Sequence, residues 1–320
     1  MFIHAIYIFI AYLVDLVVGD PRFLPHPVVI IGKYISRLEK LIRKVFPKEE
    51  QLKRAGLLLP LLIVGGTYLV VALLIYGAGL IHDWLAVALE IWLISTTIAV
   101  KGLGKAGMEV YQHLKNNNLT EARKSLGMIV GRDTEQLDES EISRGTVETV
   151  AENIVDAIIS PLFFAVIGGA PLAMAYRAVN TLDSMVGYKN EKYQNLGWAS
   201  ARLDDVANFI PARLTVVALL FVVWIKAFNV RNALKTILRD ARKHPSPNSG
   251  FTEAGVAGAL GIQLGGLNYY GGIASNRAKM GDPYRKIIAD DIINTVRIMM
   301  LTAFVFCLSL LTITFVINFN

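Results

Sequence analysis

Residues 55–82 contain no lysine, arginine, aspartate or glutamate, and this run restricts the fold more than any other feature. A membrane-spanning helix needs about 20 mostly apolar residues. Inside hydrocarbon the backbone must satisfy its own hydrogen bonds, so such a run reads as a helix. Residues 298–320 are equally free of charge, and 84–100 carry only Glu90. Residues 1–19 make a fourth, shorter stretch interrupted by Asp15. Clean spans are therefore expected near 1–19, 55–82, 84–100 and 298–320. Composition agrees: 54% of residues are hydrophobic and 18% charged, against about 45–50% and 25% in soluble domains. The net charge of +6 sits in loops beside apolar runs, where it sets orientation on an anionic inner leaflet rather than marking a nucleic-acid partner.

Three further apolar stretches are interrupted. Residues 157–176 hold Pro161, Gly168, Gly169 and Pro171, the pattern of a broken or re-entrant helix, tolerated only where protein or water meets the freed backbone. Residues 206–225 contain Pro211 and Arg213, and 254–276 hold seven glycines, which suits close packing or a cavity wall. Residues 33–54 carry eight Lys/Arg against three acids, and 226–243 six against one, so both should be cytoplasmic. The predicted fold is thus all-α, a single polytopic membrane-embedded domain over 1–320. Its broken or re-entrant helices surround a cytoplasm-facing polar region at 131–276.

One cysteine, Cys307, excludes an internal disulfide and a cysteine metal cage. The first residues lack a basic region, so they read as a retained anchor rather than a cleaved signal. No nucleophile elbow, zincin, P-loop or dinucleotide motif is present.

Charge and amides concentrate between Gly131 and Asn208, and polar groups near bilayer depth usually mark a site. Glu148, Glu152 and Asp156 recur every four residues with Asn153 adjoining, an acidic stripe whose self-repulsion a cation would relieve. A solvated helix face is the alternative. Arg177, Asn180 and Ser184 share a second face beside Asp183, followed by Lys189. Arg202, Asp204, Asp205 and Asn208 then alternate in sign. Arginines near paired carboxylates suit a phosphate–magnesium assembly, and an ion-pair network between helices is the competing reading. Asp20, Arg22 and His26 lie among three prolines that stiffen the end of the first span. The small residues of His244–Gly250 precede a helix start that can present backbone N–H groups to an anion. Thr120 reads as an N-cap.

Five stretches in order resemble the adenosylcobinamide-phosphate synthase family of cobalamin biosynthesis (CobD/CbiB type). They are DLVVGDPRFLPHPVVIIG from Asp15, GRDTEQLDESEISRGTVETVAENIVD from Gly131, YRAVNTLDSMVGYKN from Tyr176, GWASARLDDVANFIPAR from Gly197 and HPSPNSGFTEAGVA from His244. The resemblance implies a multi-pass ligase of the cytoplasmic membrane. It would join adenosylcobyric acid to 1-amino-2-propanol or its O-phosphate, using ATP and Mg2+. The corrinoid is then a substrate, not a cofactor. Membrane lipid is the surrounding partner, and self-association or contact with other corrinoid-pathway enzymes stays open.

On that reading Glu148, Glu152, Asp183 and Asp204 are the expected catalytic acids, and Glu152, Asp156, Asp183 and Asp205 the expected magnesium ligands. Arg132, Asp133, Asn153, Arg177, Asn180, Lys189, Arg202, Asn208 and Glu253 would contact substrate or ATP. Ser246 and Asn248 would cradle phosphate, with Asp20, Arg22 and His26 forming a wall. Two rivals remain. A membrane prenyltransferase is suggested by Asp204-Asp205-x-x-Asn208 and Asn180-x-x-Asp183, and a transporter by the broken helices.

Overall fold

The computed structural model describes residues 2–19 and 26–319, and these are overwhelmingly helical. Four helical runs are long and apolar enough to cross a membrane: Glu49–Ile81, Asp83–Lys115, Glu139–Val186 and Asp290–Asn318. The bent pair Trp198–Ala207 and Phe209–Ile225 adds a fifth when counted as one. The chain is a polytopic all-α membrane protein. The N-terminal stretch forms a helix of 16 residues, Phe2–Val17. That is roughly 24 Å at 1.5 Å per residue, short of the ~30 Å hydrocarbon core.

Two compact units make up the chain: residues 1–99, 160–208 and 307–320 form one, and 100–159 with 209–306 the other. In the first, the Leu58–Ile81 helix buries Leu59, Ile63, Val71 and Ala78 at helical spacing. Its opposite side leaves Leu61, Leu73 and Leu80 exposed, the placement expected where lipid, not water, meets the surface. The basic stretch after residue 26 is an amphipathic helix, Pro27–Val45, burying Ile31, Ile35 and Ile42. The Ser160–Val186 helix is broken at Gly168 and Gly169, where Gly169 adopts φ +61° and ψ −157°. Only glycine occupies that region readily, and a Cβ there would lie 2.4 Å from Glu90 Oε1. Pro171, two residues on, lacks the N–H that would close the helix across the break.

The second unit is built on well-capped helices. Leu119–Gly127 starts at Asn118, whose side chain accepts from the Glu121 amide at 3.2 Å. Thr120 is therefore inside the first turn and is not the cap. Glu139–Ile154 begins with a capping box between Asp138 and Glu141, then passes into a π-turn, Val155–Ile159. Gly258 lets the Ser249–Leu260 helix touch Val230–Asp240, since a Cβ would fall 2.7 Å from Ala233 Cα. Asn232 Nδ2 donates to the Gly258 carbonyl at 2.7 Å across that contact.

The apolar, glycine-rich stretch 254–276 departs from the otherwise helical architecture. Its second half belongs to an antiparallel hairpin, Leu264–Tyr270 with Ile273–Met280. Consecutive glycines at 271 and 272 both take positive φ (+58° and +79°), the backbone that a tight two-residue turn requires.

Candidate functional site

The polar groups of the second unit gather where the Glu139–Ile154 helix meets the hairpin. A bulge at the base of the hairpin drops Gly265 out of strand register, freeing its backbone groups. Glu148 Oε1 accepts the Gly265 N–H at 2.7 Å, and Arg144 donates to the Gly265 carbonyl at 2.7 Å and to Leu267 at 3.1 Å. Arg144 also reaches Glu148 Oε1 at 3.2 Å, and Arg132 pairs with Glu148 Oε2. Asn268 Oδ1 accepts from Arg132 at 2.8 Å and Arg144 at 3.1 Å. The three charges are almost dry: side-chain exposure is 4% for Glu148, 5% for Arg132 and 11% for Arg144. Asp133 completes the attachment, accepting the Gly271 and Gly272 amides at 2.9 and 2.7 Å.

Glu148, Arg132 and Asp133, expected to act in catalysis or in binding, are all engaged by the hairpin in this structure. In the His244–Gly250 loop three amides are likewise engaged. The Ser246 amide donates to His244 Nδ1 at 3.0 Å, and the Asn248 and Ser249 amides donate to Ser246 Oγ at 3.3 Å each. Ser246 thus braces the lead-in to the Ser249–Leu260 helix. Asn248 is buried and accepts from Arg213 at 2.7 Å. Asn153 donates to the Thr149 carbonyl at 2.9 Å, and Asp156 lies in the π-turn.

Glu152, one turn beyond Glu148, is different. Its carboxylate makes no hydrogen bond or ion pair among the described residues. It lies with His244 and Glu253, one ligand atom of each within 4.8 Å of the others. Burial alone would lower the His244 ring, but the facing Glu253 and Glu152 carboxylates outweigh it and raise it. Burial raises the Glu253 carboxyl above its ordinary range, aided by Glu152 and Glu148 and opposed by His244. Arg277 from the hairpin faces the same acids. Burial would lower its pKa, but Tyr270, Glu152, Glu253 and Glu148 together raise it.

The first unit holds the other predicted residues. Asn208, 1% exposed, accepts from Ser160 Oγ at 2.5 Å and Tyr176 OH at 2.8 Å and donates to Asp204 Oδ2 at 2.9 Å. It braces three segments instead of standing free for substrate. Asp204 is buried and faces Asp183, Asp205 and the Asn180 amide. Arg177 donates to Asn180 Oδ1 at 3.2 Å. Asp183 packs so tightly on Gly187 that a Cβ there would lie 2.0 Å from its Oδ1. Arg202 pairs with Asp205 at 3.6 Å, and Lys189 is exposed within electrostatic reach of Asp205. His26 caps the Pro27–Val45 helix through the Val28 amide at 3.2 Å. Asp20 and Arg22 lie outside the described residues.

Arg144, His244, Asn268 and Arg277 complete these clusters but were not among the predicted site residues. The signal for the last two was present: Tyr269-Tyr270-Gly271-Gly272-Ile273 is a two-glycine turn between β-prone residues. His244 and Glu253 are brought together by the turn into the Ser249–Leu260 helix.

Spanning helices broken at glycine, with acids and arginines buried between them, define a multi-pass membrane protein with polar sites built into its helical units. The sequence matches the family model described as "CobD/Cbib protein" over residues 8–299, and the chain belongs to that family. A protein named cobalamin biosynthesis protein CbiB from Salmonella paratyphi B is 48% identical over 290 residues, covering 91% of each chain. The cobalamin biosynthesis protein CobD of Geobacter metallireducens is 50% identical over 289 residues, 90% of each. That of Photorhabdus laumondii is 47% identical over 295 residues, 92% of each. No solved structure matches the chain.

Proposed function

We propose that this protein acts in cobalamin biosynthesis as an ATP-dependent amide ligase of the cytoplasmic membrane, its site open to the cytoplasm. The substrates are adenosylcobyric acid and 1-amino-2-propanol or its O-phosphate, and the product is adenosylcobinamide or its phosphate. The names carried by its relatives support the pathway. The observation that carries the chemistry is Glu152: an acid with no ion pair among the described residues, beside Arg277 and buried Glu253, on a helix whose preceding acid is fully neutralised.

A carboxylate is a poor electrophile. One corrinoid carboxylate oxygen therefore takes the γ-phosphoryl group of ATP, releasing ADP and leaving an acyl phosphate. The amine nitrogen then attacks the acyl carbon, phosphate leaves, and the ammonium proton passes to a carboxylate base. Within the first unit, Asp183, Asp204 and Asp205 offer the oxygen donors that magnesium prefers. Mg2+ bound there would offset phosphate charge. In that unit Arg177, Lys189 and Arg202 would hold anionic groups; in the second unit Arg277 would do so, with Asp156 as a further oxygen donor and Glu152 as base or as ligand to a cation.

Purified protein mixed with adenosylcobyric acid, aminopropanol phosphate and MgATP should yield the amide, identified by mass. Glu152→Ala and Asp183→Ala should abolish the product while the chain stays folded in the membrane. Full activity in either variant, or amide formation without ATP, would refute the assignment. A transport reading draws on one observation, the helix break beside Glu90. Substrate uptake by proteoliposomes lacking ATP would favour it over ligation.

A further inference from the structure

Glu152, His244 and Glu253 come from three separate elements: the end of the Glu139–Ile154 helix, the residue after the Ala241–Lys243 turn, and the start of the Ser249–Leu260 helix. Each offers one ligand atom, and these atoms lie within 4.8 Å of one another. His244 Nε2 and Glu253 Oε1 face each other across 3.3 Å on side chains 6% and 2% exposed. At that separation the two atoms pair with each other and meet no further hydrogen-bond partner among the described residues. The Glu152 carboxylate adds a second acid to this nearly dry space. Two carboxylates brought so close repel unless a cation is shared between them.

From this arrangement we infer that Glu152, His244 and Glu253 hold a divalent first-row transition cation, of the Zn2+ or Mn2+ kind, with coordination positions left open. The 3.3 Å between His244 Nε2 and Glu253 Oε1 fits, since ligands about 2.0–2.2 Å from a metal lie about 3.0–3.5 Å apart when adjacent. The ring is also set for it. His244 Nδ1 accepts from the Ser246 amide at 3.0 Å and lies 3.2 Å from the Ser246 carbonyl, so the metal-free ring carries its hydrogen on Nε2, and a bound cation would shift that hydrogen to Nδ1, toward the carbonyl. Outer contacts of this kind are what orient metal-bound histidines. The donor set selects the cation: one imidazole and two carboxylates suit borderline metals, whereas Mg2+ takes oxygen ligands and keeps its waters. Three protein ligands leave room for a further one. Arg277, facing the same acids, would favour an anionic oxygen there, such as phosphate or carboxylate. Of the two roles open to Glu152, this assigns the cation ligand. The ligand set stands on geometry alone, and only the use made of the metal rests on the ligase reading.

The test uses the full chain in detergent, freed of any affinity tag and of metal by chelator. Elemental analysis after reloading should find one Zn2+ or Mn2+ per chain, resisting a large excess of Mg2+. Glu253→Gln and His244→Gln, confirmed folded by gel filtration and melting, should each weaken Zn2+ binding at least about 10- to 100-fold, the loss that even outer-contact changes cause. Pulsed EPR of the Mn2+-loaded wild-type chain should show coupling to an imidazole nitrogen, a readout that needs no variant to fold. Absence of a stoichiometric cation, unchanged affinity in folded variants, displacement by equimolar Mg2+, or no nitrogen coupling would each overturn the site. None of these readouts involves corrinoid or ATP, so failure of the ligase reading would leave them untouched.

Discussion

Replacing Glu148 with alanine should detach the hairpin. The substitution leaves the Arg132 and Arg144 guanidiniums facing each other in a nearly dry space, 5% and 11% exposed. It also strips the Gly265 amide of its acceptor. Removing one partner from a buried ion pair costs about 3–5 kcal/mol, mostly through the charge left uncompensated. The lost amide bond is part of the same opening, so it is not added. At tenfold per ~1.4 kcal/mol, amides of Leu264–Met280 should exchange with solvent roughly 10²- to several times 10³-fold faster. Arg132→Ala should cost less, because Arg144 still neutralises Glu148 and still grips Gly265 and Leu267. Hydrogen exchange read by mass spectrometry on the detergent-solubilised protein measures both. If Glu148→Ala exchanges within a factor of about three of wild type, or Arg132→Ala is equally damaging, the charge argument fails.

Asp133→Asn keeps one acceptor but turns an N–H group toward the Gly271–Gly272 turn. It should loosen the hairpin tip by about 1.5–3 kcal/mol, the worth of bonds to a charged group, seen as faster exchange confined to residues 268–275. Asp240 supplies a pH signature. Its burial opposes ionisation, but Arg239, Lys243 and the Gly281 amide donate to it and hold its carboxyl well below the ordinary 3.8. A depressed folded pKa contributes stability that is present above pH ~4 and lost as pH falls through the folded value. Melting temperature should therefore decline below pH ~4 in wild type and less steeply in Asp240→Asn. A parallel decline in both would reject this role. Gly169→Ala forces alanine into φ +61° and ψ −157°, with its Cβ 2.4 Å from Glu90 Oε1. It should destabilise the first unit by at least about 1–3 kcal/mol, whereas Gly66→Ala, with open space around it, should melt like wild type.

Membrane class and helical content were legible in the sequence because both follow from local rules. A charge-free run must close its own hydrogen bonds, and the break at Gly168–Gly169 is written in residues that cannot hold a helix together. The family resemblance was legible in five short stretches for the same reason, as it needs only residue order. The division of labour among the acids was not. Glu148 and Glu152 share a residue type, a helix face and a neighbourhood, yet one is saturated by two arginines and a backbone amide while the other makes no hydrogen bond or ion pair among the described residues. That difference comes from a hairpin more than 100 residues away in the chain, whose bulge turns Gly265 toward Glu148. Similarly, the sequence offered Glu253 as a substrate contact and His244 as the start of an anion-binding loop, and only folding set the two across from Glu152. Sequence by itself determined the solvent this protein lives in and the inventory of its polar groups, since hydrophobicity and charge are properties of each residue. Tertiary structure decided which charges cancel and which remain available, because pairing and desolvation depend on distances that only the folded chain sets.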